Sequence, residues 1–247
     1  VGKLIKYEFR KSWKMMAYVL VITAIFEAMF LLGCGRKLEN MLAISISGLT
    51  LTAICGTFVI GIYSIHKLSK DLNTKQGYML FMTPNSSFKI LGAKVIESAA
   101  SILLAGLFFA VLAILDIMFL TVRFEDLSEI LRVLTIMWGS DGPSIDYIAF
   151  LSSMMDVTTG WIFVVTVGFF AIVLCASVLN GKKHNGLLSF IIFLAIAIFV
   201  DELGGIVTSS VPAFPTLESV LSMGFSWVMI IVMYVVTAWI MDNKLSV

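Results

Sequence analysis

Charge is what this chain has least of. Only 13% of its 247 residues are charged and 60% are hydrophobic, whereas an ordinary soluble domain carries about 25% charge. With a mean hydropathy of +1.02, a water-soluble fold would leave far too much apolar surface exposed. Cysteine is scarce and odd in number: Cys34, Cys55 and Cys175 lie in or at the end of apolar runs. That count, without paired spacing, argues against a disulfide framework or a thiolate metal site and for packing as small hydrophobes. The two histidines, His66 and His184, sit beside lysines with no second ligand at metal spacing. Walker A, H-E-x-x-H and G-x-S-x-G patterns are all missing, so no ATP site, metalloprotease site or serine elbow is expected. No catalytic, cofactor-binding or metal-ligating residues are assigned, and the chain is not expected to be an enzyme. No linker rich in Pro, Gly and Ser divides it, so residues 1–247 read as one transmembrane domain.

What is present is a set of six long apolar runs: Met15–Leu32, Met41–Ile65, Val95–Val122, Val157–Leu179, Leu187–Val207 and Met223–Met241. Their lengths suit a helix crossing the hydrocarbon core, which needs about 20 residues. Of the 17 Lys and Arg, all but Arg36, Lys37, Arg123 and Arg132 fall on one side of this arrangement. The acids Glu125, Asp126, Glu129, Asp141, Asp146, Glu202 and Glu218 gather in or beside segments of the other. The positive-inside rule then puts both termini in the cytoplasm of a multi-pass cell-membrane protein. The first run lacks a small-residue cleavage site and is followed by five more, which argues against a cleavable signal peptide.

The segments between the runs have character of their own. Over residues 1–14, Leu4, Ile5, Phe9 and Trp13 share one helical face and Lys3, Lys6, Arg10, Lys11 and Lys14 the other. That segregation predicts an interfacial helix with its bases near anionic headgroups. The cytoplasmic loop 66–89 carries Tyr78, Met79, Leu80, Phe81 and Met82 in succession. A membrane turn would ordinarily be polar, so this cluster reads as a docking knob for another protein. Gly77 and Pro84 punctuate the loop, and Asn85, Ser86 or Ser87 can cap the third spanning helix. Outside, 124–147 shows Leu127, Ile130, Leu131, Leu134 and Trp138 at helical spacing. Beyond the Gly139–Pro143 turn, Ile145, Ile148, Ser152 and Met155 point to a second short helix. Over 203–222, Gly204, Gly205, Pro212 and Pro215 are expected to break the chain into a re-entrant or extracellular segment.

Three intramembrane carboxylates are candidates for lining a pathway. Glu27 follows Lys14 by thirteen residues, which is about 20 Å of helix, and a carboxylate at that depth needs a partner or a wet cavity. Asp116 and Asp201 fall near the outer ends of their helices. Glu97, three residues after Lys94, is expected to pair with it. In the second run, Gly48, Thr52 and Gly56 form one small-residue stripe and Ala53, Thr57 and Gly61 the next, which suits close helix packing.

The loop also carries a resemblance. The stretch Lys70-Asp71-Leu72, then Gly77-Tyr78-Met79-Leu80-Phe81-Met82-Thr83-Pro84, then Ile90-Leu91-Gly92-Ala93-Lys94, resembles the segment after the second span of ABC-2 type transporter permeases of Gram-positive bacteria. The opening Lys3–Lys11 and the tail Asp242–Val247 are similar to the corresponding ends of the same proteins. In the family an acid often precedes the Gly, where this chain has Gln76.

The resemblance implies an all-α membrane protein with six transmembrane helices, an N-terminal interfacial helix, a cytoplasmic coupling helix and short extracellular helices. It implies that Asp71, Tyr78, Met79, Leu80, Phe81 and Thr83 dock on a separate ABC ATP-binding subunit, which holds the ATP and Mg. A second permease copy or a paralogue would complete a two-plus-two assembly. The implied function is ATP-driven export of an amphipathic or hydrophobic cargo, a peptide or toxin first and a lipid or drug second. The alternative is a proton-coupled secondary transporter using carboxylates such as Glu27. The lipid bilayer is the surrounding partner in either case, and no nucleic acid is expected.

Overall fold

The computed structural model describes residues 2–73, 86–123, 147–179, 185–209 and 215–244. These form α1 (Gly2–Arg36), α2 (Glu39–Asn73), α3 (Ser87–Arg123), α4 (Tyr147–Leu179), α5 (Asn185–Ser209) and α6 (Pro215–Lys244). No strand occurs among the described residues. Each helix contains a stretch long and apolar enough to cross a membrane, and each of the six runs lies within one helix. Within hydrocarbon a helix satisfies its own backbone polar groups, so a chain this apolar has little alternative. The protein is therefore a multi-pass membrane protein with six spanning helices among its described residues.

The ends follow local chemistry. α1 stops where Lys37 adopts a left-handed conformation (φ 53°) and the Leu38 N–H returns to the Gly33 carbonyl at 3.1 Å, a C-terminal capping bond. Leu38 then opens α2, its carbonyl accepting from Met41 and Leu42. Ser86 directly precedes α3, with its carbonyl accepting from the Lys89 N–H at 2.9 Å. α6 opens on Pro215, where a missing N–H costs nothing.

Three boundaries differ from expectation. Residues 1–14 do not form a separate helix but the first part of an unbroken α1. Their buried face is polar, with Glu8 and Ser12 turned inward and Trp13 exposed. Ile148, Ser152 and Met155 belong to α4 and not to a short helix of their own. Gly204 and Gly205 do not interrupt α5, which continues to Ser209. Intrahelical hydrogen bonds tolerate glycine at a cost of only about 1 kcal/mol each, so the break expected over 203–222 is found neither in 203–209 nor in 215–222, which leaves residues 210–214. Those residues, together with 124–146 and the apolar cluster of the loop, lie outside the described residues.

Two compact units make up the described chain. One comprises Val1–Ser12, Gly61–Ser101 and Thr158–Val247. Its central helix is α4, where Val165, Val167, Phe169, Ala171, Val173 and Cys175 are all buried, as a helix apolar on every side requires. Gly61 and Gly168 permit this closeness, because a Cβ would meet Trp161 at 2.7 Å and Ile65 at 2.8 Å respectively. The other unit comprises Trp13–Ile60 and Ile102–Val157. Its core is Phe30, Cys34, Leu42 and Leu49, flanked by Phe26, Leu112 and Leu120. There the small stripe of α2 is used within the chain: a Cβ at Gly48 would lie 2.4 Å from the Phe26 ring, and one at Gly56 2.9 Å from Val19. Cys34 and Cys175 are buried as expected, while Cys55 is exposed.

Candidate functional site

Six charged side chains in the first unit form one continuous chain of alternating sign. Lys11 pairs with Asp71 Oδ1. The other Asp71 oxygen receives a hydrogen bond from Lys94 Nζ at 2.5 Å, and Lys94 also donates to Glu8 Oε1 at 2.8 Å. Glu8 Oε2 lies 3.3 Å from Lys67 Nζ, which donates to Glu97 Oε2 at 2.7 Å. Hydroxyls complete the shell: Ser12 and Ser101 donate to Glu97 Oε1 at 2.6 and 3.1 Å, and Lys67 donates to Ser12 Oγ at 2.7 Å. Glu8, Lys67, Lys94 and Glu97 are each no more than 2% exposed. Charges so buried persist only when paired and hydrogen-bonded, and each of these has an opposite charge beside it.

Helical spacing makes the network possible. Glu8 with Lys11 and Ser12, Lys67 with Asp71, and Lys94 with Glu97 and Ser101 are three short stripes at intervals of three and four residues, one on each of α1, α2 and α3. Such intervals put side chains on one face. The expected Lys94–Glu97 pair within α3 does not form. Lys94 turns to Glu8 and Asp71, and Glu97 to Lys67, because the acids of neighbouring helices offer each lysine a partner across the interface.

The segment 66–89, expected as a loop, is helical at both ends, since α2 continues to Asn73 and α3 begins at Ser87; the network reaches into that last part of α2 through Lys67 and Asp71. Asp71, expected to face a docking partner, is instead buried at 6% exposure and held by Lys11 and Lys94. The far end of the loop is held by α6. Tyr234 donates from its hydroxyl to the Phe88 carbonyl at 2.7 Å, and the Asp242 carboxylate accepts from the Ser87 N–H at 3.3 Å. Gly92 leaves room for that tyrosine, since a Cβ there would lie 2.9 Å from its hydroxyl oxygen. The last turns of α2 and the first turn of α3 are thus each held by charged or hydroxyl side chains from other helices. Tyr78, Met79, Leu80, Phe81 and Thr83 lie outside the described residues.

The intramembrane acids are distributed differently. In the second unit, Glu27 of α1 and Asp116 of α3 are neighbours. Glu27 Oε2 is buried and receives no bond from an N–H or hydroxyl. Spacing within a single helix carries no sign of this pair. Asp201, in the first unit, lines a cavity beside α6. Among the described residues no group of three or more His, Cys, Asp or Glu side chains is placed to hold a metal ion. What fold and site define is a membrane protein with six spanning helices among its described residues, a buried ion chain, a pair of neighbouring acids and a cavity lined by Asp201. No family model, curated protein or solved structure matches the chain.

Proposed function

We propose that this chain is the membrane subunit of an ATP-driven exporter of the ABC-2 permease type. The observation that carries the reading is the anchoring of the helix ends that flank residues 74–85, through Asp71 in α2 and through Ser87 and Phe88 in α3. A loop that receives force from a partner must pass it to the helices, and ion pairs and hydrogen bonds into α1, α3 and α6 serve that end. Asp71 then acts as an anchor at the base of the coupling element, and Tyr78, Met79, Leu80, Phe81 and Thr83 supply its docking surface.

ATP and Mg belong to the partner, which carries out the hydrolysis. Different docking of the partner's two nucleotide states biases the helices between two arrangements, since a ligand shifts an equilibrium only through such a difference. The termini face the cytoplasm of the cell membrane, where most of the lysines lie. Residues 1–14 rest at the interface with Lys3, Lys6, Arg10 and Lys14 outward, all exposed. Two such subunits, identical or paralogous, pair with two ATP-binding subunits to export an amphipathic or hydrophobic cargo, a peptide or toxin before a lipid or drug.

The contact between Glu27 and Asp116 favours a second reading, a proton-coupled secondary transporter in which that pair takes up and releases the proton. One experiment separates the two. The detergent-solubilised chain is used to capture ATP-binding subunits encoded beside it, as the native sequence and with Tyr78, Leu80 and Phe81 changed to Asp. Capture by the native chain and loss with the triple change supports the first reading. No capture in any nucleotide state overturns it. Transport that needs a proton gradient and is lost in Glu27→Gln and Asp116→Asn would then support the second.

A further inference from the structure

One cavity in the first unit has a composition that selects its occupant. It measures about 690 Å³, inside the range of small-molecule sites, about 300–1,000 Å³. Phe163 of α4 and Phe225 of α6 supply aromatic wall, Val200 and Gly205 of α5 apolar wall, and Ser226 a hydroxyl. The only charged side chain among the described lining residues is Asp201, and none of those residues is basic.

We infer that this cavity binds an organic monocation with an apolar body. The carboxylate supplies the charge the cation needs; Asp201 is exposed, so that attraction is partly screened and the apolar and aromatic wall supplies the rest. Aromatic faces add to it, since their quadrupole favours a cation. An organic anion would be repelled by Asp201. A neutral apolar molecule would meet the apolar wall alone and gain nothing from the Asp201 charge. A divalent metal ion would require more oxygen ligands than one carboxylate and neighbouring hydroxyls provide.

Two glycines shape the space. A Cβ at Gly204 would come within 3.3 Å of the Phe225 ring, so this glycine lets the ring lie close to α5. At Gly205 a Cβ would meet nothing within 4 Å, so a larger residue there occupies the cavity without displacing the wall. The site stands on this chain's own residues and does not rest on ATP-driven export.

The test uses the purified full chain in detergent, without any ATP-binding subunit, and equilibrium dialysis against tetraphenylphosphonium. Tetraphenylborate, of the same shape and opposite charge, is the control. The expected result is saturable binding of the cation and none of the anion. Asp201→Asn should weaken binding at least about tenfold, Asp201→Glu should retain it, and Gly205→Leu should abolish it. Absence of saturable cation binding, equal binding of tetraphenylborate, or full affinity in Asp201→Asn each overturns the site. Because no partner or transport is involved, failure here leaves the export reading untouched, and failure to capture an ATP-binding subunit leaves the cavity untouched.

Discussion

Lys67 of α2 and Glu97 of α3 meet at 2.7 Å, and their side chains are 3% and 1% exposed. Removing one partner from such a pair leaves the other charge buried without compensation, whereas removing both leaves a cavity but no orphan charge. Lys67→Met is therefore expected to destabilise the protein by about 3–5 kcal/mol. The double change Lys67→Met with Glu97→Met should recover part of that loss. Denaturant unfolding in detergent, followed for both singles and the double, measures the coupling. Additive losses would show that the two side chains do not depend on each other.

Asp71→Asn keeps the shape of the side chain and removes its charge. Lys94 retains Glu8, so the stability loss should be smaller than for Lys67→Met, on the order of 1–3 kcal/mol. Under the proposed function the variant should still capture its ATP-binding subunit yet fail to alter that subunit's ATPase rate. Capture assays and hydrolysis measured on the same preparation separate docking from coupling.

The hydroxyl of Tyr234 holds the start of α3 through the Phe88 carbonyl at 2.7 Å. Tyr234→Phe deletes this single bond and should cost about 1 kcal/mol. Hydrogen exchange should show faster opening of the first turn of α3 and little change in α4. Uniform loosening across both helices would place the role of Tyr234 elsewhere.

Close approach in α2 depends on Gly48, where an added Cβ would lie 2.4 Å from the Phe26 ring. Gly48→Ala should destabilise by about 1–3 kcal/mol through overpacking, with relief when Phe26 is also changed to Leu. Gly160 of α4 has nothing within 4 Å of a built Cβ, so Gly160→Ala should instead stabilise by about 0.5–1 kcal/mol. Opposite signs for the same substitution, read by thermal unfolding, distinguish packing from helix propensity.

Hydropathy alone made the six helices legible, because apolar runs such as Met41–Ile65 and Leu187–Val207 have few ways to satisfy their backbone in a membrane. Boundaries were less legible. Gly204 and Gly205 read as breakers, yet a helix bears glycine where a neighbour such as Phe225 packs against it. The charged network was half visible. Lys67 with Asp71, and Lys94 with Glu97 and Ser101, stand at helical spacing beside long apolar runs, which marks a polar face that needs cover. Which lysine meets which acid depends on the packing of different helices, so the Lys94–Glu97 pair expected within one helix gave way to pairs between helices. Glu27 and Asp116 became neighbours for the same reason: separation along the chain carries no information about contact across it.

The most direct test of the central claim is cross-linking in intact cells with a photo-reactive side chain in place of Leu80. Irradiation should yield an adduct with a protein carrying a Walker A sequence, identified by mass spectrometry, and the adduct should change in yield when ATP is depleted. An adduct formed only with lipid, or none with any ATP-binding protein, would contradict the assignment of this chain as the membrane subunit of an ATP-driven exporter.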